Sequence, residues 1–132
     1  MRKIGVRELI MYGFRNTLKC SKGNSEGSDH RRLKFLLADF CWSNSLDFQT
    51  ECSFLKNGQR ADVVVEDWKL CFEVVNSEKS KDSDRKVYPL QVINVPVSIS
   101  PIDLEKMLIE LRDTEGSAYE FYQKKYGGKQ VG

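Results

Sequence analysis

Residues 60–78 read RADVVVEDWKLCFEVVNSE, two β-branched runs joined by a short polar connection. Two short apolar, β-branched runs on either side of the polar Glu66–Lys69 connection predict an antiparallel hairpin. If Val65 pairs with Leu70, the register sets Asp62 opposite Glu73. Directly opposed residues share a face, with Cβ atoms about 4.5–5.5 Å apart. Two carboxylates that close repel unless a proton or cation lies between them. Carboxylates on strands usually face solvent. Glu73, however, is flanked by Leu70, Cys71, Phe72, Val74 and Val75, a run apolar on both parities, as in strands covered on both faces. A carboxylate there needs a partner, a metal ion or a raised pKa.

Working outward, DFQTECSFL (47–55) predicts a preceding strand, with Phe48, Thr50, Cys52 and Phe54 on one face and Gln49, Glu51 and Ser53 on the other. Lys56, Asn57 and Gly58 predict the turn that follows. LQVINVPVS (90–98) predicts a further strand, with Pro96 marking its end or an edge position. Helical spacing of Val6, Leu9, Ile10 and Phe14 predicts a first helix over about 5–19, followed by a flexible loop, SKGNSEGS. A second helix over about 29–43, capped by Ser28 or Asp29, carries a stripe of Leu33, Leu36, Leu37, Phe40 and Cys41. His30 and Lys34 share one face near its start, available to the carboxylates or simply to solvent. Ser100 and Pro101 open a last helix to about Asp113 that buries Leu104, Met107, Leu108 and Leu111. Residues 117–126 add a turn or two. The expected architecture is α/β, a mixed central sheet flanked by helices.

The 132-residue length suits one domain (1–27 an N-terminal helix and loop, 28–98 the core, 99–132 a C-terminal helix and tail). Residues 1–34 hold nine Lys or Arg against three Asp or Glu, and the remainder holds twelve against sixteen, so a basic end adjoins an acidic body. No apolar run reaches the ~18–20 residues a membrane span needs, and Arg7 and Glu8 interrupt any signal-peptide core. The expectation is an intracellular, cytoplasmic protein. Cys20, Cys41, Cys52 and Cys71 form no CxxC and accompany a single histidine, which argues against structural zinc and for reduced thiols. There is no GxxxxGK[ST] and no GxGxxG, so no nucleotide cofactor is expected.

The pattern RADVVV, a turn, then FEVVNS, set in the order α-β-β-β-α-β, resembles the PD-(D/E)xK, or restriction-endonuclease-like, nuclease superfamily. CoiA-like small branches look closest, through Arg60-Ala61-Asp62-Val63, Glu73-Val74-Val75-Asn76-Ser77 and the basic Arg85–Tyr88 segment. The resemblance covers residues 28–98 and implies Mg²⁺- or Mn²⁺-dependent hydrolysis of DNA by a homodimer, including branched or nicked substrates. It implies Asp62, Glu73 and the Val74 carbonyl as metal ligands, with Glu51 near the same ion. Arg60, Lys79, Lys81, Arg85 and Lys86 would meet nucleic acid. The motif lysine is replaced by Val75. Lys69 on the same strand is about 13 Å away, so Lys34 or His30 is the better replacement and Lys79 the third choice. A catalytically silent nucleic-acid-binding or assembly module is the alternative that Val75 favours, and the modest net charge of +2 favours a protein-interaction domain.

Overall fold

The computed structural model describes residues 5–20, 27–56, 58–75 and 88–126. A five-stranded mixed sheet runs in the order β1 (Ile10–Arg15), β2 (Phe48–Phe54), β3 (Arg60–Val65), β4 (Leu70–Val75) and β5 (Gln91–Pro96). Neighbours are antiparallel except β5, which lies parallel to β4. Among the described residues, three α-helices accompany it: α1 (Ser28–Ser43), α2 (Pro101–Asp113) and α3 (Ala118–Lys125). Helix α1 packs on β3, β4 and α2, and α3 packs on α2. Among the described residues no helix is long and apolar enough to cross a membrane.

The sheet is buried on both faces, which explains its two-sided apolar strands. Leu33, Leu37, Phe48, Val63, Val65, Phe72, Ile93, Leu104 and Leu108 fill the helix side. Cys52, Phe54, Ala61, Val64 and Cys71 form a second core, covered by Val6, Leu9, Ile10, Tyr88 and Val92. The central hairpin closes in the expected register, Val65↔Leu70, Val64↔Cys71 and Val63↔Phe72. Lys69, at φ 54°, takes the left-handed step that four-residue connections of this kind use.

Helix α2 forms as expected. The Ser100 hydroxyl accepts the Asp103 N–H at 3.1 Å, and Leu104, Met107, Leu108 and Leu111 are its buried side chains. Residues Ala118–Lys125 form α3, capped by Ser117. Pro96 ends β5, an edge strand.

Three expectations are corrected. The helix over 5–19 is instead a short 3-10 turn, Val6–Leu9, leading into β1. An isolated helix of that length is marginal, and Gly13 costs it about 1 kcal/mol. Pairing with β2 supplies a ladder, and Val6, Leu9 and Ile10 bury against the second core from this conformation too. Gly13 allows the approach, because a Cβ there would meet the Gln49 Oε1 at 2.3 Å. Helix α1 is not capped by Ser28 or Asp29: its N-cap is Gly27, without a side-chain bond.

Strict alternation along β2 also fails. Phe48 lies in the helix-side core, whereas Cys52 and Phe54 lie in the other. Between them Glu51 has φ 48°, a left-handed residue that reverses the parity of the strand. The 21–26 loop, Asn57, residues 76–87 and the tail from 127 lie outside the described residues.

Candidate functional site

Strands β2, β3 and β4 each bring one acidic residue to the same level of the sheet, beneath the first turns of α1. At Asp62 the ladder between β3 and β4 stops short of the Asp62–Glu73 position. The Asp62 carboxylate occupies the gap, with Oδ2 accepting the Val74 N–H at 2.8 Å. Its other oxygen, Oδ1, lies 3.2 Å from His30 Nε2. Burial pushes the Asp62 carboxyl upward. Hydrogen bonds from His30 and Glu73, the imidazole charge and the Val74 N–H outweigh it, holding the group below its ordinary value.

Glu73 is 5% exposed. Besides its hydrogen bond to Asp62, it accepts the Tyr88 hydroxyl, which also lies 2.9 Å from the Arg60 carbonyl oxygen. Burial, then the bond to Glu73, raises the pKa of Tyr88. The Tyr88 ring packs on Phe54, with centroids 5.4 Å apart.

The third carboxylate faces cations instead. Glu51 Oε1 is 3.5 Å from Lys34 Nζ, and Oε2 is 3.5 Å from Arg60 Nε. Lys34 has no solvent exposure at all. It sits in the stripe that buries Leu33, Leu37, Ala38 and Cys41, and its ammonium is directed at the strained turn of β2. A non-glycine residue in the left-handed region costs of order 1–2 kcal/mol. Such outliers persist where surrounding structure over-determines them.

The site therefore gathers His30, Lys34, Glu51, Arg60, Asp62 and Glu73 from four elements. Lys69 lies in the β3–β4 connection, at the opposite end of β4 from Glu73. Lys79, Lys81, Arg85 and Lys86 lie outside the described residues.

Two members escaped the sequence reading as pairs. Lys34 in an otherwise apolar stripe is the available signal for a buried ion pair, since lysine is almost never fully buried unless paired. Tyr88, at the end of the basic Arg85–Tyr88 segment, is the partner that the environment of Glu73 demanded.

A proton or cation between Asp62 and Glu73, an imidazole on one of them, and an exposed guanidinium beside them can bind a phosphate ester and exchange protons with it. Among the described residues, no group of three or more His, Cys, Asp and Glu side chains is arranged to hold a metal ion. The three free thiols at Cys41, Cys52 and Cys71 are buried, and burial pushes Cys41 and Cys52 up to about 12, away from nucleophilic use. No family model matches the chain, and neither a curated protein nor a solved structure matches it.

Proposed function

We propose that the chain is a divalent-metal-dependent endonuclease that hydrolyses phosphodiester bonds in DNA, including branched or nicked DNA. The observation that carries this reading is the contact between Asp62 and Glu73 where β3 and β4 part. A buried Glu73 hydrogen-bonded to a half-buried Asp62 holds a site where a cation can replace the shared proton. Asp62, Glu73 and the Val74 carbonyl would hold Mg²⁺ or Mn²⁺, which commonly takes only one or two carboxylates from protein and keeps several waters. The ion supplies charge for the phosphate and a more acidic water.

The chain's own residues have separate tasks. His30 orients Asp62 from 3.2 Å and can carry a proton to it. Lys34 holds Glu51 in place and takes over the positive charge absent at Val75. Arg60, whose side chain is 57% exposed, can dock a phosphate. Strand order adds support. A helix, three antiparallel strands and a fourth strand parallel to the third are compatible with the core that the resemblance implies. The helix expected between β4 and β5 falls on residues outside those described. One such domain offers little grip on a duplex, so a homodimer belongs to the same reading.

A silent nucleic-acid-binding module on this fold is the second reading. It is favoured by Val75 and by the engagement of both Glu51 oxygens with cations.

Calorimetric titration with Mn²⁺, alongside DNA binding across a salt series, separates the two. Nuclease chemistry requires saturable Mn²⁺ binding that Asp62→Asn abolishes. Salt-dependent DNA binding without Mn²⁺ binding leaves the silent module. A chain that binds neither overturns both.

A further inference from the structure

One row of the sheet is fixed by its register: Tyr12 on β1 lies opposite Ser53 on β2, and Ser53 opposite Arg60 on β3. Directly opposed residues point to the same face, and here that face is the helix side. Tyr12 touches Phe14, and Phe14 lies opposite Thr50. The Thr50 hydroxyl accepts the Lys19 N–H at 2.9 Å and donates to the Thr17 carbonyl at 2.7 Å, while Leu18 between them packs against the helix-side core. From the same side His30 of α1 reaches Asp62, two residues beyond Arg60.

Helix α1 packs on β3 and β4. At the edge strand β1 this face is open enough to leave Tyr12 55% exposed. Its ring meets Phe14 edge to face, with centroids 5.2 Å apart and planes at 79°. Lys19 Nζ lies 5.5 Å from the centre of the Phe14 ring, an attraction that keeps the ammonium beside the aromatic pair. Glu51, the acid that faces Arg60, is itself buried, so the strip shows its cations to solvent.

We infer that this strip binds single-stranded DNA, with an unpaired base stacked on Tyr12 and phosphates of the same strand on Lys19 and Arg60. The inference rests on the DNA binding that the nuclease and the silent module share, and it narrows the substrate. Single strands are held by an aromatic platform for the bases and a cationic track for the backbone. Tyr12 is the platform, and Lys19 and Arg60 flank it as the track. Two inter-strand steps, about 10 Å in all, separate Tyr12 from Arg60. A base on one and a phosphate on the other therefore belong to neighbouring nucleotides, and the small Ser53 between them leaves room for the sugar. A duplex turns the faces of its bases inward on one another, so it offers Tyr12 nothing to stack on and only its phosphates to the cations.

The test uses the full chain in EDTA, without cutting, with a labelled oligothymidine and a duplex of equal length. Anisotropy over a salt series gives both affinities. The inference requires wild type to bind the single strand more tightly than the duplex. Tyr12→Ala loses about tenfold in single-strand affinity, Tyr12→Phe keeps it, and neither changes duplex binding. Lys19→Gln, at an exposed position, lowers the slope of log affinity against log salt for the single strand by about 0.7. Should Tyr12→Ala melt early, Lys19→Gln carries the test. Equal wild-type affinity for both forms, undiminished single-strand binding in Tyr12→Ala, or an unchanged slope in Lys19→Gln overturns the inference. A dimer that Tyr12→Ala dissociates, with single-strand binding unchanged, assigns the strip to a second copy and overturns it too. Mn²⁺-dependent cutting is scored separately. Cutting with undiminished single-strand binding in Tyr12→Ala removes only the strip, whereas a single-strand preference lost in Tyr12→Ala, in a chain that never cuts, removes only the nuclease.

Discussion

Replacing Lys34 with methionine keeps most of the side-chain volume and removes the ammonium. In the structure that ammonium is wholly buried and 3.5 Å from Glu51 Oε1, itself on a residue only 6% exposed. Removing one partner of a buried ion pair typically costs about 3–5 kcal/mol, because the other charge stays behind without compensation. Arg60 still faces Glu51 at 3.5 Å, but its side chain is more than half exposed and screened, so it offsets only part of this. The expected loss for Lys34→Met is about 3 kcal/mol, a large fraction of an ordinary domain's ~5–15 kcal/mol. For a chain of this size it corresponds to a fall in Tm of roughly 10 °C. Urea unfolding of wild type, Lys34→Met, Glu51→Gln and the double variant closes a thermodynamic cycle. The double variant should lose much less than the sum of the singles, with a coupling of about 2 kcal/mol or more. A Lys34→Met protein within about 0.5 kcal/mol of wild type, or single losses that simply add, would refute the assignment of Lys34 to Glu51.

Three further outcomes follow from local geometry. Lys69→Gly removes a side chain from a left-handed position (φ 54°) and should stabilise the hairpin by about 0.5–1 kcal/mol in urea unfolding. Gly13→Ala puts a methyl group where Gln49 Oε1 lies 2.3 Å away, and should cost about 1–3 kcal/mol, largely recovered when Gln49 is shortened to alanine. Glu110 ties α2 to α3 through Lys125 and Tyr126, whose hydrogen bonds hold its carboxyl below the ordinary 4.5. The stability it contributes is complete above about pH 4.5 and disappears as pH falls through the lower folded value. Glu110→Gln should therefore flatten the acid limb of a plot of Tm against pH, while an unchanged limb would exclude the link.

The central hairpin was legible because its pattern and its turn agree. Val63–Val65 and Leu70–Phe72 leave one register that buries both runs, and that register is observed. Helices α1 and α2 were legible from stripes of leucine at helical spacing, and α2 also from Ser100-Pro101. The N-terminal strand was not. Val6, Leu9 and Ile10 satisfy a helical face and a 3-10 turn leading to a strand equally well, and only pairing with β2, a non-local contact, chooses between them. The parity reversal at Glu51 was hidden for a related reason. Nothing in DFQTECSFL announces a left-handed glutamate, whose conformation is held by Lys34 and Arg60 from distant elements.

At the site, sequence anticipated that Asp62 and Glu73 would meet, and left the His30 and Lys34 face of α1 open between the carboxylates and solvent. Which cation serves which acid was not legible. Choosing His30 for Asp62 and Lys34 for Glu51 depends on the helix's height above the sheet and on the bulge in β2, both products of packing.

The proposal that Asp62 and Glu73 form a nuclease centre is tested most directly by cleavage. Supercoiled, linear, single-stranded and branched DNA would be incubated with Mg²⁺ or Mn²⁺ and with wild-type or Asp62→Ala protein. The proposal predicts metal-dependent products from the wild type that vanish with EDTA and in the variant. Identical products from both proteins, or none on any substrate from a correctly folded wild type, would contradict it.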